Sequence, residues 1–184
     1  MSYYGNEYER RTLMNIEALY FQKYFYFKHL NQSSSEHRVT YWVKLSRDIE
    51  LRRLMYALLD VVQSQPVLRT QFVTDDFNQL KINLRDFFPF IEIKEVNEMS
   101  QSIDLEAFFT RNLNSYHFNQ LPLFNFKIYQ FLDDAYLLLD FHATIFNESQ
   151  LTPFLQQLNI AYTHSLKSEY SISDFYNWIK EMNQ

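Results

Sequence analysis

Two apolar segments, residues 124–131 (FNFKIYQF) and 136–141 (YLLLDF), stand one short turn apart, with Asp133 and Asp134 between them. So short a connection joins neighbouring strands only when they run antiparallel, because a parallel pair needs a long crossover. In the first segment Phe124, Phe126, Ile128 and Gln130 share one face, the alternation expected of a strand. In the second, Tyr136 to Leu139 are apolar without interruption, which suits a central strand covered on both faces. The rest of the chain has to supply that cover.

The flanking segments read as the missing layers. Across residues 12–30, Leu13, Ile16, Leu19 or Tyr20, and Tyr24 or Phe27 recur at helical spacing and predict a helix with one wide buried face. A polar loop (NQSSSEH, residues 31–37) leads to a strand over 39–45, rich in β-branched and aromatic residues. Asp48 is placed to cap the next helix, whose apolar positions Leu51, Leu54, Leu58 and Val61 or Val62 fall on one side. Pro66 stops that helix near Gln65. Strands are expected over 68–73, 80–84 and 90–96, and a helix from Asp104 to about residue 115. From Glu148 the positions Leu151, Phe154, Leu155, Leu158 and Ala161 or Tyr162 form an amphipathic helix, and 174–182 reads as a short aromatic helix. There is no repeat, low-complexity tract or linker. Residues 1–184 therefore read as a single α+β domain, a mostly antiparallel sheet with packed helices. Residues 1–11 form a leader, either a frayed end or an apolar segment against a partner.

Composition removes whole classes of function. The single glycine, Gly5, excludes the phosphate loops built on glycine spacing. A net charge of −5 argues against nucleic acid as a partner, since phosphate binding needs a basic surface. No apolar run reaches the length of a membrane span, and the N-terminal residues lack the apolar core of a signal peptide. The absence of cysteine excludes a disulfide framework and Cys-ligated metal, and fits a cytoplasmic protein.

One residue stands out chemically. His142 closes the apolar strand, and a helix begins six residues later. A lone histidine at a strand end is more often a surface or satisfied core residue than a catalyst. His29, His37, His117 and His164 are scattered without metal-ligand spacing and read as surface residues. Asp75 with Asp76, and Asp133 with Asp134, read as turn residues. The run YFQKYFYF at 20–27 reads as core and interface packing rather than a ligand cage.

Four stretches carry a further signal. They are VKLSRDIELRRLMYALLDVVQSQPVLRTQF (43–72), PLFNFKIYQFLDDAYLLLDFH (122–142), ATIFNESQLTPFLQQLNIAY (143–162) and SDFYNWIKE (173–181). In that order they resemble the strand–helix–RHExLRTxF segment, the strand pair leading to HHxxxDG, the helix after it, and the YxDFxxW segment of condensation domains. The resemblance is to the N-terminal lobe of a nonribosomal peptide synthetase condensation domain, of the chloramphenicol acetyltransferase-like fold. It implies an α+β sandwich that is one lobe of a two-lobed domain. It also implies that His142 is the catalytic position, set in a tunnel between lobes. There it deprotonates or orients an attacking amine, or stabilises the tetrahedral intermediate, an imidazole being suited by its near-neutral pKa. The implied partners are the C-terminal lobe and acyl or peptidyl carrier proteins, whose phosphopantetheine arms bring the thioesters. No cofactor belongs to the chain itself.

The motif departs from the family pattern around His142. Phe141 stands for the first His, Phe146 for the Asp and Asn147 for the Gly; Ser64, Gln65 and Pro66 stand for RHE, while Arg69 and Ser149 keep their places near the site. In the family the motif Asp pairs with an arginine. If that is the first Arg, both partners are gone at Phe146 and Ser64, and losing both is far less costly than burying one unpaired charge. If it is the second, Arg69 must find another acid or reach solvent. Asn147 remains able to cap the following helix. Three readings follow. One is a lobe contributing His142 to amide formation, inactive alone. Another is a degenerate lobe used for carrier-protein docking or domain contacts. The third is a free-standing acyltransferase-fold protein that oligomerises. An isolated lobe is also expected to expose an apolar patch.

Overall fold

In the computed structural model, residues 16–31, 37–76, 79–85, 87, 89–118 and 120–164 are described. The expected helix at 174–182, the leader, and Leu13 lie outside them. The hairpin forms as the short turn requires. Strands β6 (Phe124–Gln130) and β7 (Ala135–His142) pair antiparallel, Phe124 opposite Phe141 and Gln130 opposite Ala135. On its other side β7 pairs antiparallel with β2 (Arg38–Lys44), which sets Arg38 opposite His142 and Thr40 opposite Asp140. The fourth strand, β5 (Glu92–Glu95), joins β6 in parallel, giving the order β2-β7-β6-β5. The parallel step is possible because α3 (Leu105–Arg111) lies in the β5–β6 connection. A second, three-stranded sheet has the order β1-β4-β3, built from β1 (Ile16–Glu17), β3 (Thr70–Thr74) and β4 (Leu80–Leu84). The antiparallel character expected from sequence thus holds, but it is divided between two sheets.

Cover comes from both sides. Helices α2 (Leu51–Ser64) and α4 (Leu151–His164) pack together and supply Leu54, Leu58, Val61, Phe154 and Leu158 to one core with Phe126, Leu137, Leu139 and Phe141. On the opposite face Phe109 of α3 packs with Tyr129, Phe131, Tyr136 and Leu138. Every residue of β7 after Ala135 is buried, which confirms its central position. Each fully buried large apolar side chain stabilises the fold by roughly 1.5–3 kcal/mol, so this strand is the axis of the structure. No helix among the described residues is long and apolar enough to cross a membrane.

Several local expectations are corrected. Of the helix foreseen at 12–30, the described part is strand β1 followed by α1 (Tyr20–Asn31). Its buried side is Gln22, Phe25, Tyr26 and His29, whereas Tyr20, Tyr24, Phe27 and Leu30 are exposed. Aromatic residues occur all round this helix, so spacing alone selects no face. Asp48 does not cap α2: its carboxylate accepts from Ser46, and the N-cap position is Glu50, whose N–H donates to the Tyr162 hydroxyl. Pro66 opens a 3-10 turn (Pro66–Arg69), so the strand expected from 68 starts at Thr70. Helix α3 does begin at an Asp104 cap, but it stops at Arg111, where Asn112 donates from its side chain to the Phe108 carbonyl. The strand expected over 90–96 is limited to β5, and Phe90 is exposed.

Candidate active site

Strand alternation divides the end of β7 into two environments. Phe141 points toward α4, and Phe146 lies flat on it, with ring centroids 3.8 Å apart and planes 5° from parallel. Phe126 and Phe154 meet Phe141 edge-on. Phe141 and Phe146 are both buried. Ser64 is buried and donates its hydroxyl to the Val61 carbonyl. Thus neither Phe146 nor Ser64 leaves a charge behind. Arg69 is 5% exposed, so the alternative that it reaches solvent is not realised. Asn147 caps the 3-10 turn Glu148–Gln150 that enters α4: its Oδ1 accepts from the Ser149 N–H and hydroxyl, and its own N–H donates to Gln150 Oε1.

The other side of β7 is polar and equally closed. Asp140 is fully buried and accepts hydrogen bonds from Tyr116 (2.6 Å) and Thr40 (2.8 Å), with Arg38 at 3.4 Å. Arg38 also donates to the Asn114 carbonyl and lies over the Tyr116 ring. Burial pushes the Asp140 carboxyl above the usual carboxylate range, opposed by these partners. Burial and the Asp140 carboxylate push the Tyr116 phenol well above its ordinary value.

His142 is 0% exposed. Its Nδ1 lies 2.9 Å from the Thr144 hydroxyl and 3.2 Å from the Thr144 backbone N; its Nε2 lies 3.2 Å from Nδ1 of His29. Tyr116, Phe118 and His29 surround the ring at centroid distances of 4.8 to 5.6 Å. Its pKa is pushed down to about 3, chiefly by burial, and further by His29, His37 and Arg38. In this closed arrangement His142 is a neutral ring, and a group so far below neutrality is a weak proton acceptor. His29 and His37, read from sequence as surface residues, are not: His29 is half-buried against His142, and His37 is 2% exposed. His117 and His164 are exposed, as read. No cluster of three or more potential metal ligands occurs among the described residues.

The site therefore includes residues that sequence reading did not select: His29, Arg38, Thr40, Tyr116, Asp140 and Thr144. Asp140 carried a usable signal, being the one charge inside an apolar strand; the others did not. A cavity of about 270 Å³ lies beside Tyr116, lined also by Phe90, Asn114, Gln120 and Asn125, but His142 does not line it.

Comparison with known proteins gives this geometry a context. A family model described as "Condensation domain" matches residues 15–184. Solved structures with this fold include a variant of the starter condensation domain of the rhizomide synthetase RzmA in complex with C8-CoA and Leu-SNAC. It has a TM-score of 0.77 and 13% identity, over 92% of this chain and 41% of that one. The first condensation domain of the CDA synthetase gives a TM-score of 0.76 at 10% identity, over 92% and 46%. The tallysomycin biosynthesis protein TlmII gives 0.66 at 16%, over 83% and 39%. The chain thus spans less than half the length of these structures. No curated protein sequence matches it.

Proposed function

We propose, from the premise that this chain belongs to the condensation-domain family, that it is the N-terminal lobe of a domain forming an amide bond between carrier-bound substrates. The substrates are an acyl thioester and an amine, each delivered on the phosphopantetheine arm of a carrier protein. The amine nitrogen attacks the thioester carbonyl; the C–N bond forms, the C–S bond breaks, and the amine proton leaves with the released thiol. The observation that carries this reading is the placement of His142 at the end of the central strand, fixed by Thr144 and His29 beside the Asp140 network. Binding of C8-CoA and Leu-SNAC by the RzmA variant supports acyl and aminoacyl thioesters as the substrate class. A second lobe supplies the opposite wall, so this chain by itself is inactive.

A second reading, a lobe used for docking or domain contacts without chemistry, is favoured by one observation: both ring nitrogens of His142 are engaged inside the lobe. Single-turnover amide formation separates the two, with the second lobe and loaded carrier proteins supplied. The catalytic reading expects product from the wild type and none from His142→Ala. No product from either, where an intact condensation domain succeeds, favours the docking role. Equal product from both removes His142 from the chemistry.

A further inference from the structure

The hydrogen bonds around His142 determine where its proton sits. A backbone N–H is an obligatory donor, and that of Thr144 reaches His142 Nδ1 at 3.2 Å. Nδ1 therefore presents its lone pair, and the single proton of the neutral ring resides on Nε2. Nε2 stands 3.2 Å from Nδ1 of His29, so His29 accepts at that atom. The bonds run one way, from the Thr144 N–H through His142 to His29. The His142 atom that faces away from its own strand is thus an N–H donor, with no lone pair on that side.

A donor at this place suits a carbonyl oxygen. As an amine adds to a thioester, negative charge grows on that oxygen, and a preorganised N–H lowers its energy. We propose that His29 is a positioning residue that stands where substrate belongs: its Nδ1 accepts the His142 Nε2–H, and an acyl carbonyl oxygen displaces it to take the same hydrogen bond. This deepens the amide-forming reading and rests on it. The helix that carries His29 is suited to yielding. Helix α1 turns Gln22, Phe25, Tyr26 and His29 inward, while Tyr20, Tyr24, Phe27 and Leu30 lie exposed. His29 itself packs edge-on against Phe118, at 4.7 Å, and is only half-buried. His142 thereby acts as a hydrogen-bond donor to the tetrahedral intermediate, and the amine proton leaves by another route, to solvent or the departing thiolate.

The test uses the whole chain, labelled with ¹⁵N, and reads the imidazole nitrogens by long-range ¹H–¹⁵N correlation at neutral pH. His142 is expected as the Nε2–H form with Nδ1 unprotonated. A thioester probe, S-acetyl-N-acetylcysteamine, is then titrated into the wild type, His29→Ala and His29→Phe, the last keeping an aromatic ring against Phe118. Both variants should show the probe shifting the His142 Nε2–H signal at about three- to tenfold lower concentration, the gain from removing one competing hydrogen bond. An Nδ1–H form of His142 overturns the proposal. So does a probe that shifts His142 no more readily in the folded variants, or in none of the proteins. The tautomer and titration need no second lobe. If they hold while the reconstituted domain makes no amide, the amide-forming reading fails and the displaceable contact stands.

Discussion

The two sides of β7 at residues 140–142 are built in opposite ways. On the Phe141 side, Phe141 and Phe146 are two stacked phenyl rings, with Phe126 and Phe154 edge-on to Phe141. On the Asp140 and His142 side the carboxylate and both imidazole nitrogens have polar partners, from Thr40, Arg38 and Tyr116 to Thr144 and His29. The first side is stabilised by packing alone and buries no charge. The second holds a buried histidine with a polar partner at each ring nitrogen. Apolar packing and polar bonding are separated by the alternation of a single strand.

The largest expected effect lies on the packed side. Phe141→Ala or Phe146→Ala should each destabilise by about 3–5 kcal/mol in denaturant unfolding, the cost of an aromatic cavity. The double variant should lose less than the sum by about 0.5–1.5 kcal/mol, the coupling of a stacked pair. Additivity would break the claim that the rings act as a unit. On the polar side, Asp140→Ala strands Arg38 and two hydroxyls and should cost about 3 kcal/mol or more. Asp140→Asn keeps an acceptor and should cost clearly less; equal losses would mean that charge, not bonding, matters there.

Acid sharpens the comparison because only one side titrates. His142 has a folded-state pKa near 3 against an ordinary 6.5, so below 6.5 the unfolded chain takes a proton the folded one refuses. Its contribution is complete above pH 6.5 and falls by up to about 1.4 kcal/mol per pH unit toward pH 3. His29, also depressed, acts in the same sense, facing His37, His117 and the Tyr116 backbone. Asp140, being raised, acts in the opposite sense as its carboxyl protonates. Unfolding followed from pH 7 to 4 should therefore show a shallower decline in His142→Gln than in wild type. Parallel curves would contradict a buried neutral ring. The smallest effect concerns helix capping: Asn147→Ala should cost about 1 kcal/mol, and Asp48→Ala, where the carboxylate caps no helix, clearly less.

Much of this was readable in the chain, and the exceptions have physical causes. The hairpin, α2, α4 and the Asn147 cap follow from a short turn, clean apolar faces and a favourable cap residue. The end of β7 was readable too, as an apolar strand closing on His142. Tyr24 and Phe27 misled because α1 is aromatic on every side, which hid the face bearing His29. Arg38 and Thr40 join the site only through the β2–β7 register, which no local pattern encodes. Asp140 was the missed clue: a carboxylate inside an apolar strand requires buried donors, and Tyr116, Thr40 and Arg38 are those donors.

The division of labour on β7 is tested most directly by reconstituting amide formation with two variants side by side, Phe141→Leu and His142→Gln, each first shown to be folded. The account predicts that Phe141→Leu loses stability yet retains single-turnover product formation within a few-fold of wild type, whereas His142→Gln stays folded and makes no product. Product from His142→Gln, or its loss in folded Phe141→Leu, would contradict it.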